Sequence, residues 1–232
     1  MSNAKIDLKP LFERLDGQMY CVIKLPEEFP QYEPGSDLDI FCYDVAGFSR
    51  IVVAYLQKYI TNSLTLKVKN TEYQTYVDVV VDGKIDLRFD LYGNLPPYKN
   101  ILIKEAFFSS VIENSSIIER NGVSVRAPDI VDDGILRYIE YQEWYAHRPD
   151  KIKHIKYLED KFLHGEIESD VLLNKLHYYT SLPSYINNQY AANIRPKEYL
   201  KHLTSLLEKL KESIKQKGFR KTVMLIVKKI RK

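Results

Sequence analysis

Hydrophobic positions recur along this chain with two periods, near 2 and near 3.6, and the two are unevenly distributed. Residues 8–15 predict a short helix closed by Asp16-Gly17. Tyr20-Cys21-Val22-Ile23-Lys24 predicts a strand stopped by Leu25-Pro26, and the proline-rich stretch 27–34 predicts a loop leading to Gly35. Gly35-Ser36-Asp37-Leu38-Asp39-Ile40-Phe41 reads as a turn running into a strand. Leu38 and Ile40 then point to a core, and Asp37 and Asp39 share the other face. Apolar residues at 48, 51, 52, 55, 56 and 59 predict a helix over 46–59. Residues 64–68, 73–81 and 84–92 predict strands, the last two joined by Asp82-Gly83, which suits a two-residue type I′ turn. That turn sets a register in which Val81 faces Lys84, Val80 faces Ile85, Val79 faces Asp86 and Val77 faces Arg88. The strand over 84–92 is largely apolar on both faces, which predicts a central place in the sheet.

A helix over 103–113 and a hairpin over 117–126, turning at Asn121-Gly122, complete this half. Past Pro128 the pattern is helical throughout. Asp129 or Asp132 can cap a helix running to 145, and further helices are expected over 150–163, 168–179 and 197–217. Tyr138, Tyr141, Trp144 and Tyr145 recur at helical spacing, as core residues do. The expected fold class is α+β: a mixed β-sheet domain with flanking helices over 1–127, a helical domain over 128–217, and a basic tail over 218–232.

Composition narrows the function more than it alters this architecture. The 232 residues are 45% hydrophobic, enough for a sizeable core. No apolar run approaches the ~20 residues of a membrane span, and the N-terminus has no charged-then-apolar leader, so a cytoplasmic protein is expected. Cys21 and Cys42 lie in apolar runs without metal spacing and are expected as reduced packing residues, and the five histidines show no paired ligand spacing. The net charge of +3 hides an asymmetry. Residues 194–232 hold 13 Lys or Arg against 3 Glu, leaving 21 basic against 28 acidic residues elsewhere. An acidic body argues against nucleic acid as a partner, whereas the basic tail suits an anionic surface. If helical, residues 219–232 align Phe219, Val223, Ile226, Val227 and Ile230 in one stripe flanked by Arg and Lys. That is the pattern of an interfacial helix at the inner membrane face, of a contact with a partner enzyme there, or of a segment packed on the helical domain or a dimer partner.

The chemistry centres on Asp37 and Asp39. Two carboxylates roughly 6–7 Å apart on one strand face are poorly arranged unless something positive lies between them. Hard divalent cations with oxygen ligands, completed by water and substrate phosphate, are the usual solution. A solvated turn rich in Gly, Ser and Asp is the plainer alternative, although the apolar continuation Ile40-Phe41-Cys42 makes Asp39 part of a buried strand. Asp86, among valines, needs a neutralising partner, either Arg88 or a metal.

Gly35-Ser36-Asp37-Leu38-Asp39-Ile40, with Ile85-Asp86-Leu87-Arg88-Phe89 on a later strand, resembles the nucleotidyltransferase superfamily typified by the DNA polymerase beta fold. That pattern is a Gly-Ser turn, an Asp-apolar-Asp strand and a third carboxylate. With Tyr20-Cys21-Val22-Ile23-Lys24 and Leu25-Pro26 included, residues 20–145 look like the small nucleotidyltransferase-like proteins of bacterial surface-polysaccharide biosynthesis. The resemblance implies Asp37, Asp39 and Asp86 as catalytic Mg²⁺ ligands, with Asp90 competing with Asp86 by strand parity. It implies an NTP and a small, sugar-like or phosphorylated acceptor as partners, with pyrophosphate leaving. The pattern departs at one point. Many members carry Gly-Ser about ten residues upstream, where it grips the triphosphate, and here Leu25-Pro26-Glu27 stands there. Lys24 and the backbone amides of Gly35 and Ser36 are the substitutes for nucleotide binding, and a catalytically inactive binding or regulatory module on the same fold is the alternative function.

Overall fold

The structure, a computed structural model, describes residues 6–98 and 101–182. A short helix α1 (Lys9–Arg14) precedes strands β1 (Tyr20–Val22) and β2 (Ser36–Cys42), helix α2 (Val45–Leu56), and strands β3 (Leu64–Asn70), β4 (Gln74–Val81) and β5 (Lys84–Tyr92). The five strands form one mixed sheet in the order β1-β2-β5-β4-β3, with β2 and β5 parallel and the other neighbours antiparallel. The apolar β5 is central, as its two-sided hydrophobicity requires. Helix α3 (Ala106–Glu113) leads to a separate hairpin of β6 (Ser116–Arg120) and β7 (Val123–Ala127). Helices α4 (Ile130–Trp144), α5 (Ile152–Leu163) and α6 (Ser169–Tyr179) follow, giving the expected α+β class. The helix expected over 197–217 and the basic tail lie outside the described residues.

Alternation along the strands separates two cores. Leu38, Ile40, Leu87, Phe89, Leu91, Val77 and Val79 pack on one face of the sheet with α1, α2 and the β6–β7 hairpin. Cys21, Ile23 and Phe41 point to the other, where α3, α4, α5 and α6 close over them. Residues on both sides of Pro128 thus share this second core. Asp44 caps α2 by accepting from the Gly47 N–H at 2.8 Å, and Asp129 caps α4 by accepting from the Val131 N–H at 2.9 Å. The second candidate cap for α4, Asp132, is instead fully buried and pairs with Lys175 at 2.8 Å, tying α6 to α4.

The β4–β5 hairpin corrects the expected register. Asp82 (φ +49°) and Gly83 (φ +77°) form the two-residue turn, and Val81↔Lys84 and Val80↔Ile85 pair as expected. The register then shifts: Val79 faces Leu87, Asp78 faces Arg88 and Val77 faces Phe89. Asp86 is the extra residue of a β-bulge. An inserted residue resets the alternation, so Asp86 and Asp90, four apart, do not share a face.

Candidate active site

Parallel pairing of β2 with β5 sets Asp37 beside Arg88, Asp39 beside Asp90 and Phe41 beside Tyr92. Because these residues alternate with the core-facing set, all six project from the face opposite α2. They border a cleft of about 330 Å³, whose floor includes Asp37, Asp39, Asp90 and Tyr92. Leu136, Glu140, Glu143 and Trp144, one stripe of α4, form a wall, and Lys24, Pro96-Pro97-Tyr98, Arg148 and Lys151 complete the rim. A larger cavity of about 480 Å³, between α1 and the β6–β7 hairpin, lies away from these carboxylates.

Lys24 reaches the cleft because β1 ends in an unusual turn. The Ile23 N–H still donates to the Asp39 carbonyl at 3.0 Å, and the next residue, Lys24, has φ +53°. That conformation is uncommon away from Gly. Here Asp133 of α4 accepts the Lys24 N–H at 3.1 Å, and Arg137, at 2.7 Å, holds Asp133. The Lys24 ammonium bridges Asp39, at 2.7 Å, and Glu140. Glu140 also pairs with Lys151 and lies 3.6 Å from His154 Nε2. Burial alone would push the Glu140 carboxyl up, yet His154, Lys24 and Lys151 together hold it far below the usual carboxylate range. Burial likewise opposes the charge on Lys24, and Asp39 and Glu140 outweigh it, so the ammonium stays charged.

Asp90 has the opposite environment. It is 8% exposed, and its Oδ1 has no hydrogen-bond partner. The nearest cation, Arg88 Nε, stands 3.8 Å away and is committed to Asp78 through bonds of 2.6 and 2.9 Å. Burial and the neighbouring Asp39 push the Asp90 carboxyl up to about 7, with Asp37 adding to the effect and Arg88 opposing it. Tyr92 donates to Asp39 Oδ1 at 3.4 Å, and its phenol is raised by burial and by the same two carboxylates.

Of the residues expected from sequence, Lys24, Asp37 and Asp39 meet in the cleft and three others do not. Asp86 is the main correction. The bulge turns its carboxylate toward Tyr32, a member of the opposite core, whose hydroxyl donates to Oδ2 at 3.1 Å. Asp90, the competing candidate, is the third carboxylate beside Asp37 and Asp39. Gly35 and Ser36 are corrected as well. Their amides are used within the turn, Gly35 N–H donating to the Asp86 carbonyl at 2.8 Å and Ser36 N–H to the Glu33 carbonyl at 2.9 Å. Neither lines the cleft. The +90° φ of Gly35 gives it a role in shaping the chain before β2. Sequence reasoning missed Glu140, whose only signal was a carboxylate on the helix stripe shared with Leu136 and Trp144. Of the four aromatics read as core, Tyr138 and Tyr141 are buried, whereas Trp144 is 38% exposed on the cleft.

The donor set fits a hard divalent cation such as Mg²⁺. Three carboxylates share one surface, and a buried acceptor, Asp90 Oδ1, lacks a hydrogen bond. Among the described residues, the ligand atoms already gathered within 4.8 Å of one another are elsewhere, on exposed Asp160, His164 and Glu166. That surface group is partly neutralised by Lys161, 2.8 Å from Glu166. In the cleft, the cation facing Asp39 is the Lys24 ammonium.

No protein-family model matches the chain, and no curated protein matches it. Solved structures give distant likenesses. One is the Helicobacter pylori protein JHP933, at 14% identity and TM-score 0.34, over 90% of this chain and 94% of that one. A candidate nucleotidyltransferase from H. pylori gives 14% and 0.32, over 88% and 94%. The Megavirus polyadenylate synthase gives 9% and 0.35, over 73% of this chain and 37% of that one. No helix among the described residues is long and apolar enough to cross a membrane.

Proposed function

We propose that this protein is a Mg²⁺-dependent nucleotidyltransferase that moves a nucleoside monophosphate from an NTP to a small hydroxylated or phosphorylated acceptor. The observation that carries the reading is the juxtaposition of Asp39 and Asp90 across the parallel β2–β5 pair, with Asp37 on the same face and Asp90 Oδ1 lacking a hydrogen-bond partner. Asp37, Asp39 and Asp90 are the residues that would hold the metal. Bound there, Mg²⁺ would neutralise triphosphate charge and polarise the α-phosphorus. An acceptor oxygen attacks that phosphorus, the bond to the bridging oxygen breaks, and pyrophosphate carries away the electron pair. Asp90, whose Oδ1 has no hydrogen-bond partner, is the carboxylate placed to take the acceptor's proton. The cations bordering the cleft are Lys24 and Lys151, both paired with Glu140, and Arg148, paired with Asp150 at 2.9 Å, and the phosphates would compete with these carboxylates for them; Tyr98 and Trp144 supply flat surfaces for a base or sugar. A cleft of about 330 Å³ with Glu140 and Glu143 on its wall favours a small molecule over a polynucleotide as acceptor. The sugar-like acceptor of a surface-polysaccharide pathway remains the expectation from sequence.

Thermal-shift screening with each NTP plus Mg²⁺ tests this reading. One NTP should raise the melting temperature in a Mg²⁺-dependent way, and Asp39→Asn and Asp90→Asn should each remove the shift. A shift that survives both substitutions overturns the assignment. The commitment of the Gly35 and Ser36 amides to their own turn favours a second reading, a nucleotide-binding module without transfer. Stabilisation by an NTP with no pyrophosphate release from any acceptor tried would select it.

A further inference from the structure

We infer that Lys24 is an internal counter-ion of the carboxylate site, which a divalent cation must displace from Asp39, and that Glu140 holds the displaced ammonium. The inference rests on the metal-site reading given above and adds how that site is regulated. Three features support it. The ammonium lies 2.7 Å from Asp39 Oδ2, so it takes up an oxygen that the metal needs. It also pairs with Glu140, so it can leave Asp39 without losing every anionic partner in a mostly buried setting, where Lys24 is 19% exposed. Glu140 in turn has Lys151 and His154 beside it, and Lys24 is anchored through its backbone by Asp133. The side chain can therefore swing while its Cα stays fixed. Asp90 Oδ1, by contrast, is buried without a hydrogen bond. One half of the site thus keeps an acceptor without a hydrogen bond, 3.8 Å from an Arg88 already bound to Asp78, and the other half is neutralised from within.

A consequence is coupling between metal and nucleotide. A triphosphate offers the displaced ammonium a new anionic partner, so metal alone binds weakly and metal with nucleotide binds well.

Titration calorimetry of the full chain with Mg²⁺ alone, alongside the fluorescence of Trp144, the sole tryptophan, tests this without an activity assay. Lys24→Met keeps the stem and removes the charge. It should tighten Mg²⁺ binding by about ten-fold or more, because a contact at salt-bridge distance no longer competes. Lys151→Met removes a charge of the same sign from Glu140 without touching Asp39, and should change Mg²⁺ affinity much less. Equal tightening by both variants would mean a general field effect and would overturn displacement. Mg²⁺ binding that Asp39→Asn abolishes but Lys24→Met does not tighten overturns the inference and leaves the metal site standing. No binding by the wild type or any variant overturns both. If Lys24→Met does not melt cooperatively, Lys24→Gln carries the same comparison.

Discussion

Asp86 and Asp90 lie on the same strand, four residues apart, and are almost equally buried, at 9% and 8% exposure. One meets the Tyr32 hydroxyl among the apolar residues packed under α1 and α2, and the other faces a cleft with one oxygen unpartnered. Burial does not distinguish them. The difference comes from the bulge, which inserts Asp86 without a partner on β4 and reverses the facing of every residue after it relative to the turn. A buried carboxylate with a hydroxyl partner is a structural group. A buried carboxylate beside two others, with its nearest cation already paired, is a candidate for chemistry.

The contrast should be largest in catalysis. Asp90→Asn and Asp39→Asn each remove a proposed metal ligand and should lower pyrophosphate release by roughly 10³-fold or more. Asp86→Asn, outside the cleft, should stay within about three-fold of wild type. Steady-state assays with the NTP identified by thermal shift would measure all three. Equal losses for Asp86→Asn and Asp90→Asn would break the comparison.

A second consequence concerns stability in chelator, without metal. Unfolded Asp titrates near 3.9, whereas folded Asp90 titrates at about 7. Between those values the folded chain holds a proton that the unfolded chain has lost. By linkage, the contribution of this group to stability therefore falls as pH rises from about 4 to about 7. Asp90→Asn removes the dependence. The variant should match wild type near pH 4 and exceed it above pH 7, by roughly 1–3 kcal/mol once solvent screening is allowed for. Chemical denaturation at a series of pH values reads this directly. A constant offset across the range would mean that Asp90 is not the titrating group.

What was legible in the sequence follows the same division between regular and irregular backbone. Asp37 and Asp39 could be placed together because β2 has no irregularity between them. The Asp82-Gly83 turn fixed the first two pairs of its hairpin, and the Asn121-Gly122 turn, with φ values of +49° and +78°, likewise fixed its own. Parity then failed at Asp86, because nothing in Lys84-Ile85-Asp86-Leu87 announces an inserted residue. Parity therefore put Asp86 and Asp90 on one face, the Ile85-Asp86-Leu87-Arg88 match favoured Asp86, and the structure places Asp90 in the cleft instead. Gly35-Ser36 looked available for phosphate because a sequence shows which amides exist but not what they bind. Glu140 was out of reach for a different reason: its partner Lys24 is 116 residues away, and only the packing of α4 across the sheet edge brings them together.

The smallest expected effect tests the structural side of the comparison. Tyr32 accepts from the Ile6 N–H at 3.0 Å and donates to Asp86 at 3.1 Å, so its hydroxyl links the chain before α1 to the bulge. Tyr32→Phe keeps the ring in the core and leaves a backbone donor and a carboxylate oxygen without that partner. Losing a buried hydrogen-bond partner costs about 1–2 kcal/mol, or roughly 2–8 °C in melting temperature for a chain of this size. Asp86→Asn keeps an acceptor oxygen for the Tyr32 hydroxyl and should cost less than about 1 kcal/mol. Neither change touches the cleft, so Mg²⁺ affinity should match wild type in both. Differential scanning calorimetry with parallel Mg²⁺ titration separates the two effects. If Tyr32→Phe altered Mg²⁺ affinity while sparing the melting temperature, Asp86 would belong functionally with Asp90, and the bulge would not divide structure from chemistry.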